Sequence, residues 1–129
     1  MSDCDLRHAL LGTWRLIGFQ FDLDGTLVKP FGDNPQGYLV YTPDGHLFVQ
    51  FATRAERRWP GPEVLEMSRP QVADALGLFA YCGTFEVRDG QVIHQTEFGV
   101  VPSMSGSVEP HSVSLDGDDG LILRSGWAR

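Results

Sequence analysis

Residues 38–52, YLVYTPDGHLFVQFA, read as two β-strands folded back on one tight turn. Pro43 presets φ at the first turn position, Asp44 suits the second, and Gly45 takes the left-handed conformation that closes it. The flanking runs, about 37–42 and 46–52, carry the aromatic and β-branched residues of strands. Outward from this hairpin the same rhythm recurs. Toward the N-terminus a short helix over about residues 5–10 precedes a first strand in GTWRLIGFQFD (12–22), a turn at Asp24-Gly25 and a weaker strand in TLVKPFG (26–32). Toward the C-terminus AYCGTFEV (80–87), QVIHQTEF (91–98), SVEPHSVSL (107–115) and LILRS (121–125) are strands, separated by the turns RDG and DGDDG and the loop GVVPSMSG. Only the middle departs from this pattern. RAERRWPGP (54–62) suits a surface excursion, and Val72, Ala75, Leu76 and Phe79 fall at i, i+3, i+4 and i+7, one stripe of a helix that Ser68 and Gln71 would cap.

About eight antiparallel strands at hairpin spacing predict a mainly β fold: a single antiparallel up-and-down β-barrel with one short helix, occupying residues 1–129 as one domain. Closure removes the exposed edges an open sheet would leave, and eight strands enclose room for packed side chains or one small ligand. With 42% apolar and 21% charged residues the composition is that of a globular chain. A net charge of −7 argues against a nucleic-acid partner, which needs a continuous basic stripe. No apolar run is long enough to span a bilayer or to form a signal-peptide core, so a cytoplasmic location without membrane partners is expected, with Cys4 and Cys82 as reduced thiols.

LGTWRLIGF (11–19), GYLVYTPDGHLFVQF (37–51), FAYCGTFEV (79–87) and VIHQ (92–95), in that order, resemble the lipocalin-like domain family, the small intracellular relatives of the calycin barrels. Gly12-Thr13-Trp14 is similar to the glycine-any-tryptophan signature of lipocalins, in which the Trp closes the barrel base. The resemblance implies that an Arg of the last strand, here Arg124, lies across that ring. It also implies a cavity for a small, largely apolar organic molecule, and a place in secondary metabolism as an isomerase, cyclase or lyase, or as a binding protein. The loop and strand VPSMSGSVEPHS (101–112) depart from the family pattern, which more often carries an Asn-Trp pair there.

Strand parity picks out the chemistry. His94 alternates with Val92, Thr96 and Phe98, and His111 with Val113 and Leu115, so both imidazoles face inward. A hairpin centred on GVVPSMSG would set His94 across from His111, Thr96 across from Glu109 and Phe98 across from Ser107. A neutral imidazole is a natural general base near pH 7. Tyr81, on the face of Phe85 and Val87, and Tyr41 supply phenols able to hydrogen-bond a carbonyl as it gains enolate charge. Tyr38, Phe48, Gln50, Phe85, Thr96, Phe98 and Glu109 are the expected ligand contacts. His94, His111 and Glu109 also make a donor set for iron or zinc, but one that hangs on a single assumed register, and no metal or cofactor is expected. Arg54, Arg57 and Arg58 beside Trp59 are the basic cluster of an acidic chain, and the helix stripe from Val72 to Phe79 reads as a plug on one barrel end, with a lid as the alternative at which only Gly61 and Gly77 hint.

The favoured expectation is therefore a cofactor-free enzyme that binds a small apolar, carbonyl-bearing metabolite and moves a proton on it, by isomerisation, cyclisation or dehydration. His94 or His111 would be the base and Tyr81 or Tyr41 the donor. The alternative is a non-catalytic carrier or sensor of the same molecule. A homodimer is compatible with either.

Overall fold

The computed structural model describes residues 1–54, 77–117 and 119–125. Helix α1, Asp3–Leu10, is capped by Ser2, whose Oγ accepts the Asp5 amide, and Asp3 and Asp5 in its first turn oppose the positive end of the helix dipole. Leu6 and Leu10, one turn apart, are its buried face.

Nine strands follow: β1 Gly12–Arg15, β2 Phe21–Leu23, β3 Thr26–Val28, β4 Gln36–Tyr41, β5 His46–Ala52, β6 Leu78–Arg88, β7 Gln91–Gly99, β8 Val108–Asp116 and β9 Gly120–Ser125. Seven of them form one sheet in the order β1-β4-β5-β6-β7-β8-β9, every pair antiparallel, curled into a half-barrel. The mainly β, antiparallel meander is thus as read from the sequence. Two details differ. The expected first strand over 12–22 is broken: Leu16 donates its amide to Gly37 O, β4 begins at Gln36, and beyond that point β1 has no neighbour to pair with. The chain then forms β2 and β3, a hairpin apart from the main sheet. Among the described residues, the ladder runs from β1 to β9 without a pairing between those two edges.

Alternation divides the sheet into two faces. Leu39, Tyr41, Leu47, Val49, Phe51, Phe85 and Val92 line the inner one and form, with Leu6 and Leu10, the buried core. Helix α1 closes one end of it. Asp3 accepts the amides of Asp89 and Gly90 in the β6–β7 turn at 2.9 Å each, and Arg7 donates to Pro43 O in the β4–β5 turn while lying over the Phe85 ring. Trp14 packs there too, its indole N–H donating to Leu10 O at 2.8 Å. The arginine expected over Trp14 is elsewhere: Arg124 is exposed on β9 and donates to Ser114 Oγ, held there by the neighbouring strand. At the opposite end Phe19 and Phe31, which flank the β2–β3 hairpin, stack on Phe51, and Phe31 and Phe51 on Phe79. The helix expected from Val72 lies outside the described residues, as do Ser68, Gln71, Arg57, Arg58, Trp59 and Gly61; Phe79, assigned to that helix, belongs to β6.

Candidate active site

Between the α1 end and the phenylalanine cluster, the inner face turns polar. His94 is 2% exposed, and it and Thr96 are the buried polar residues among those described. His94 is held on both ring nitrogens: Tyr41 Oη lies 2.6 Å from Nε2 and Tyr81 Oη 3.0 Å from Nδ1. A neutral imidazole has one N–H and one lone pair, so one phenol donates to it and the other accepts from it. Tyr41 is wholly buried, with no further partner for its hydroxyl among the described residues. Were it the acceptor, its own proton would be stranded at a cost of about 1–3 kcal/mol. Tyr41 O–H therefore donates to Nε2, Nδ1–H donates to Tyr81, and the proton of the half-buried Tyr81 is left free to point at a ligand.

His111 stacks on His94, ring centroids 4.3 Å apart. Its Nδ1 donates to Glu109 O at 3.0 Å, and since a carbonyl only accepts, the neutral ring carries its lone pair on Nε2. Burial pushes the His94 pKa down to about 3, helped by the repulsion of His111. Burial lowers that of His111 too, against the carbonyls of Glu109 and Val92, which favour the charged ring. The phenols of Tyr41 and Tyr81 are raised, both first by burial, then Tyr41 by Tyr81 and Tyr81 by the Glu109 carboxylate. All four groups are neutral at pH 7.

The ladder that assembles them differs from the expected one by two residues. His94 pairs with Glu109 and Val92 with His111, because the hairpin closes at Thr96 and Ser107, where Thr96 N donates to Ser107 O. A shift of two keeps the parity, so both imidazoles and Glu109 stay on the inner face and meet diagonally. Phe98 does not. Thr96 pairs with Gly83 and Phe98 with Cys82, leaving Glu97 as a bulge residue that reverses the alternation and turns Phe98 out, 62% exposed. Tyr38, Phe48 and Gln50 are likewise on the outer face, since Leu39 and Tyr41, and Leu47, Val49 and Phe51, occupy the inward positions between and around them. There Tyr38 and Gln50 line a separate cavity of about 480 Å³ with Arg15, Gln36, Ala52, Arg54 and Leu78. Phe85 and Thr96 are buried on the inner face as expected. His94, His111 and Glu109 make no metal-holding group, since hydroxyls occupy both nitrogens of His94.

Sequence reading missed Arg7 and Ser107. Arg7 one turn after Asp3 in a capped helix was a visible signal for the end plug, whereas Ser107 needed the register.

A family model described as a lipocalin-like domain matches residues 11–129. The chain belongs to the lipocalin-like domain family. Neither a curated protein nor a solved structure matches it. The lipocalin-like domain accounts for the curled meander and for Trp14 packed at its closed end, and its calycin fold is one that holds small molecules. No helix among the described residues of the domain is long and apolar enough to cross a membrane.

Proposed function

We propose that the lipocalin-like domain binds a small, largely apolar ketone against its inner face and catalyses proton transfer on it. The observation that carries this reading is the buried Tyr41–His94–Tyr81 relay stacked on His111, a set of four ionisable side chains that a filled hydrophobic core would have no use for. In this reading His111 and not His94 is the base: both nitrogens of His94 are engaged, and its depressed pKa makes it a poor proton acceptor, while Nε2 of His111 carries a lone pair.

The ligand carbonyl takes the free proton of Tyr81 as a hydrogen bond. Nε2 of His111 removes a proton from the α-carbon; the C–H electron pair becomes the C=C bond of the enolate and the carbonyl pair moves onto oxygen, where Tyr81 stabilises it. Return of the proton from His111 to a different carbon gives isomerisation, attack of the enolate carbon on a second carbonyl of the same molecule, whose oxygen takes that proton, gives cyclisation, and loss of a β-hydroxyl as water, protonated by His111 as it leaves, gives dehydration. Tyr41 and His94 are positioning residues. They fix which way the Tyr81 proton points and do not touch the ligand.

The test is deuterium uptake at the methyl group of acetophenone in D₂O, followed by proton NMR. Wild-type protein should speed it well above buffer, and His111→Gln and Tyr81→Phe should each abolish the acceleration. Acetophenone that binds without exchange would remove the catalytic step and leave a carrier or sensor.

A further inference from the structure

Two ladder pairs beyond His94 and Glu109, Thr96 and Ser107 face each other at the end of the β7–β8 pairing. The amide of Thr96 donates to Ser107 O at 3.0 Å and that of Gly106 to Thr96 O at 2.8 Å. Parity directs both side chains inward, alongside the relay. Thr96 is 3% exposed, and Thr96 Oγ1 and Ser107 Oγ are both buried without a hydrogen-bond partner among the described residues. A buried, unpaired hydroxyl costs about 1–3 kcal/mol, and valine and alanine would fill the same space without that cost. Two such hydroxyls side by side, next to a polar site, are unexpected in a core whose other described buried polar residue, His94, is fully bonded. Gly83, the β6 neighbour of Thr96, adds no side chain to this stretch of the inner face.

We infer that Thr96 and Ser107 form a second polar subsite, and that the ligand therefore carries two oxygen functions. This rests on the reading of Tyr81 and His111 as the place of the reacting carbonyl. Two residues along a strand span about 7 Å, which sets the separation of the ligand's two oxygens. Serine and threonine hydroxyls both donate and accept, so the second function is a hydroxyl or a carbonyl. The rings of Phe79, Tyr81, Phe85 and His94 on the same inner face favour a flat frame. The ligand class is a planar cyclic or aryl ketone with a hydroxyl or second carbonyl at its far end.

Acetophenone and 4-hydroxyacetophenone, whose two oxygens lie at opposite ends of one ring, are the probes. Dissociation constants are measured by NMR titration while the ring signals of His94 are followed. The wild-type protein should hold 4-hydroxyacetophenone about tenfold more tightly than acetophenone, the worth of one added hydrogen bond. In the Thr96→Val/Ser107→Ala double variant that ratio should fall to near one. The free Thr96→Val protein should also melt at a higher temperature than wild type, because it sheds an unpaired hydroxyl. A ratio near one in wild type, a ratio unchanged in the double variant, or a lower melting temperature for Thr96→Val would each overturn the subsite, leaving the Tyr81 and His111 reading intact where acetophenone binds and shifts the His94 signals. If neither ketone binds, that reading falls and the subsite with it.

Discussion

The hydroxyl of Tyr41 and Nε2 of His94, 53 residues apart in sequence, meet at 2.6 Å in the buried interior of the sheet. That bond fixes the tautomer of His94 and, through Nδ1, the direction in which Tyr81 presents its proton. Tyr41→Phe strands the lone pair of Nε2 and should lower stability by about 1–3 kcal/mol in urea unfolding, the cost of an unsatisfied buried acceptor. Tyr81→Phe strands Nδ1–H of the same buried ring, so it should cost a comparable amount, and it should also remove the acceleration of ketone exchange. A Tyr41→Phe or Tyr81→Phe protein as stable as wild type would contradict the buried bonds on His94.

Acid should destabilise the domain in a defined window. His94 titrates near 6.5 when unfolded and at about 3 when folded, so between those values the unfolded chain binds a proton that the native one refuses. The stabilising contribution is complete above about pH 6.5 and is lost as pH falls toward 3, with His111 acting in the same sense. Each histidine contributes a slope of roughly 1 kcal/mol per pH unit within its window. Urea midpoints measured from pH 7 to 4.5 should fall steeply in wild type and less steeply in His94→Gln; parallel slopes would show that His94 is not held neutral.

Gly83 is where backbone geometry sets the site. A Cβ there would lie 2.0 Å from Gln95 O and 2.9 Å from Glu97 N, both backbone atoms at the bulge that brings Tyr81 and His94 into line. Gly83→Ala should destabilise by more than about 3 kcal/mol or fail to fold, in the range of severe backbone clashes. An alanine variant with wild-type melting behaviour would show that β6 and β7 are further apart than described.

The end plug is equally specific. Leu10 is fully buried and its carbonyl accepts the Trp14 indole N–H. Leu10→Ala should cost about 2–5 kcal/mol by opening a cavity at the closed end, read as a drop in melting temperature with a quench or shift of tryptophan fluorescence.

What could be read from the sequence was whatever period two controls. The Pro43-Asp44-Gly45 hairpin, the meander and the inward parity of Tyr81, His94, His111 and Glu109 all follow from alternation, and a two-residue slip in the β7–β8 register left that parity untouched; Tyr41 entered only as a residue flanking the hairpin. Phe98 went astray because one extra residue, Glu97, reverses alternation, and nothing in the letters QTEFG marks a bulge that exists only in the pairing with β6, between Cys82 and Gly83. Tyr38, Phe48 and Gln50 went astray for a different reason: aromatic and amphipathic side chains occur on both faces of a strand, and only burial tells which row meets the core. At the closed end the guanidinium that lies over a ring is that of Arg7, over Phe85, and not that of Arg124 over Trp14; the contact is made by tertiary packing of α1 and is invisible to strand patterning.

His94 is a neutral imidazole wired in one direction, from Tyr41 through Nε2 and Nδ1–H to Tyr81. Long-range proton–nitrogen NMR of the ¹⁵N-histidine-labelled protein reads this directly. At pH 6 the expected result is a protonated Nδ1 and an unprotonated, hydrogen-bonded Nε2 for His94, unchanged down to pH 5. An imidazolium at pH 6, or a neutral ring protonated at Nε2, would contradict it.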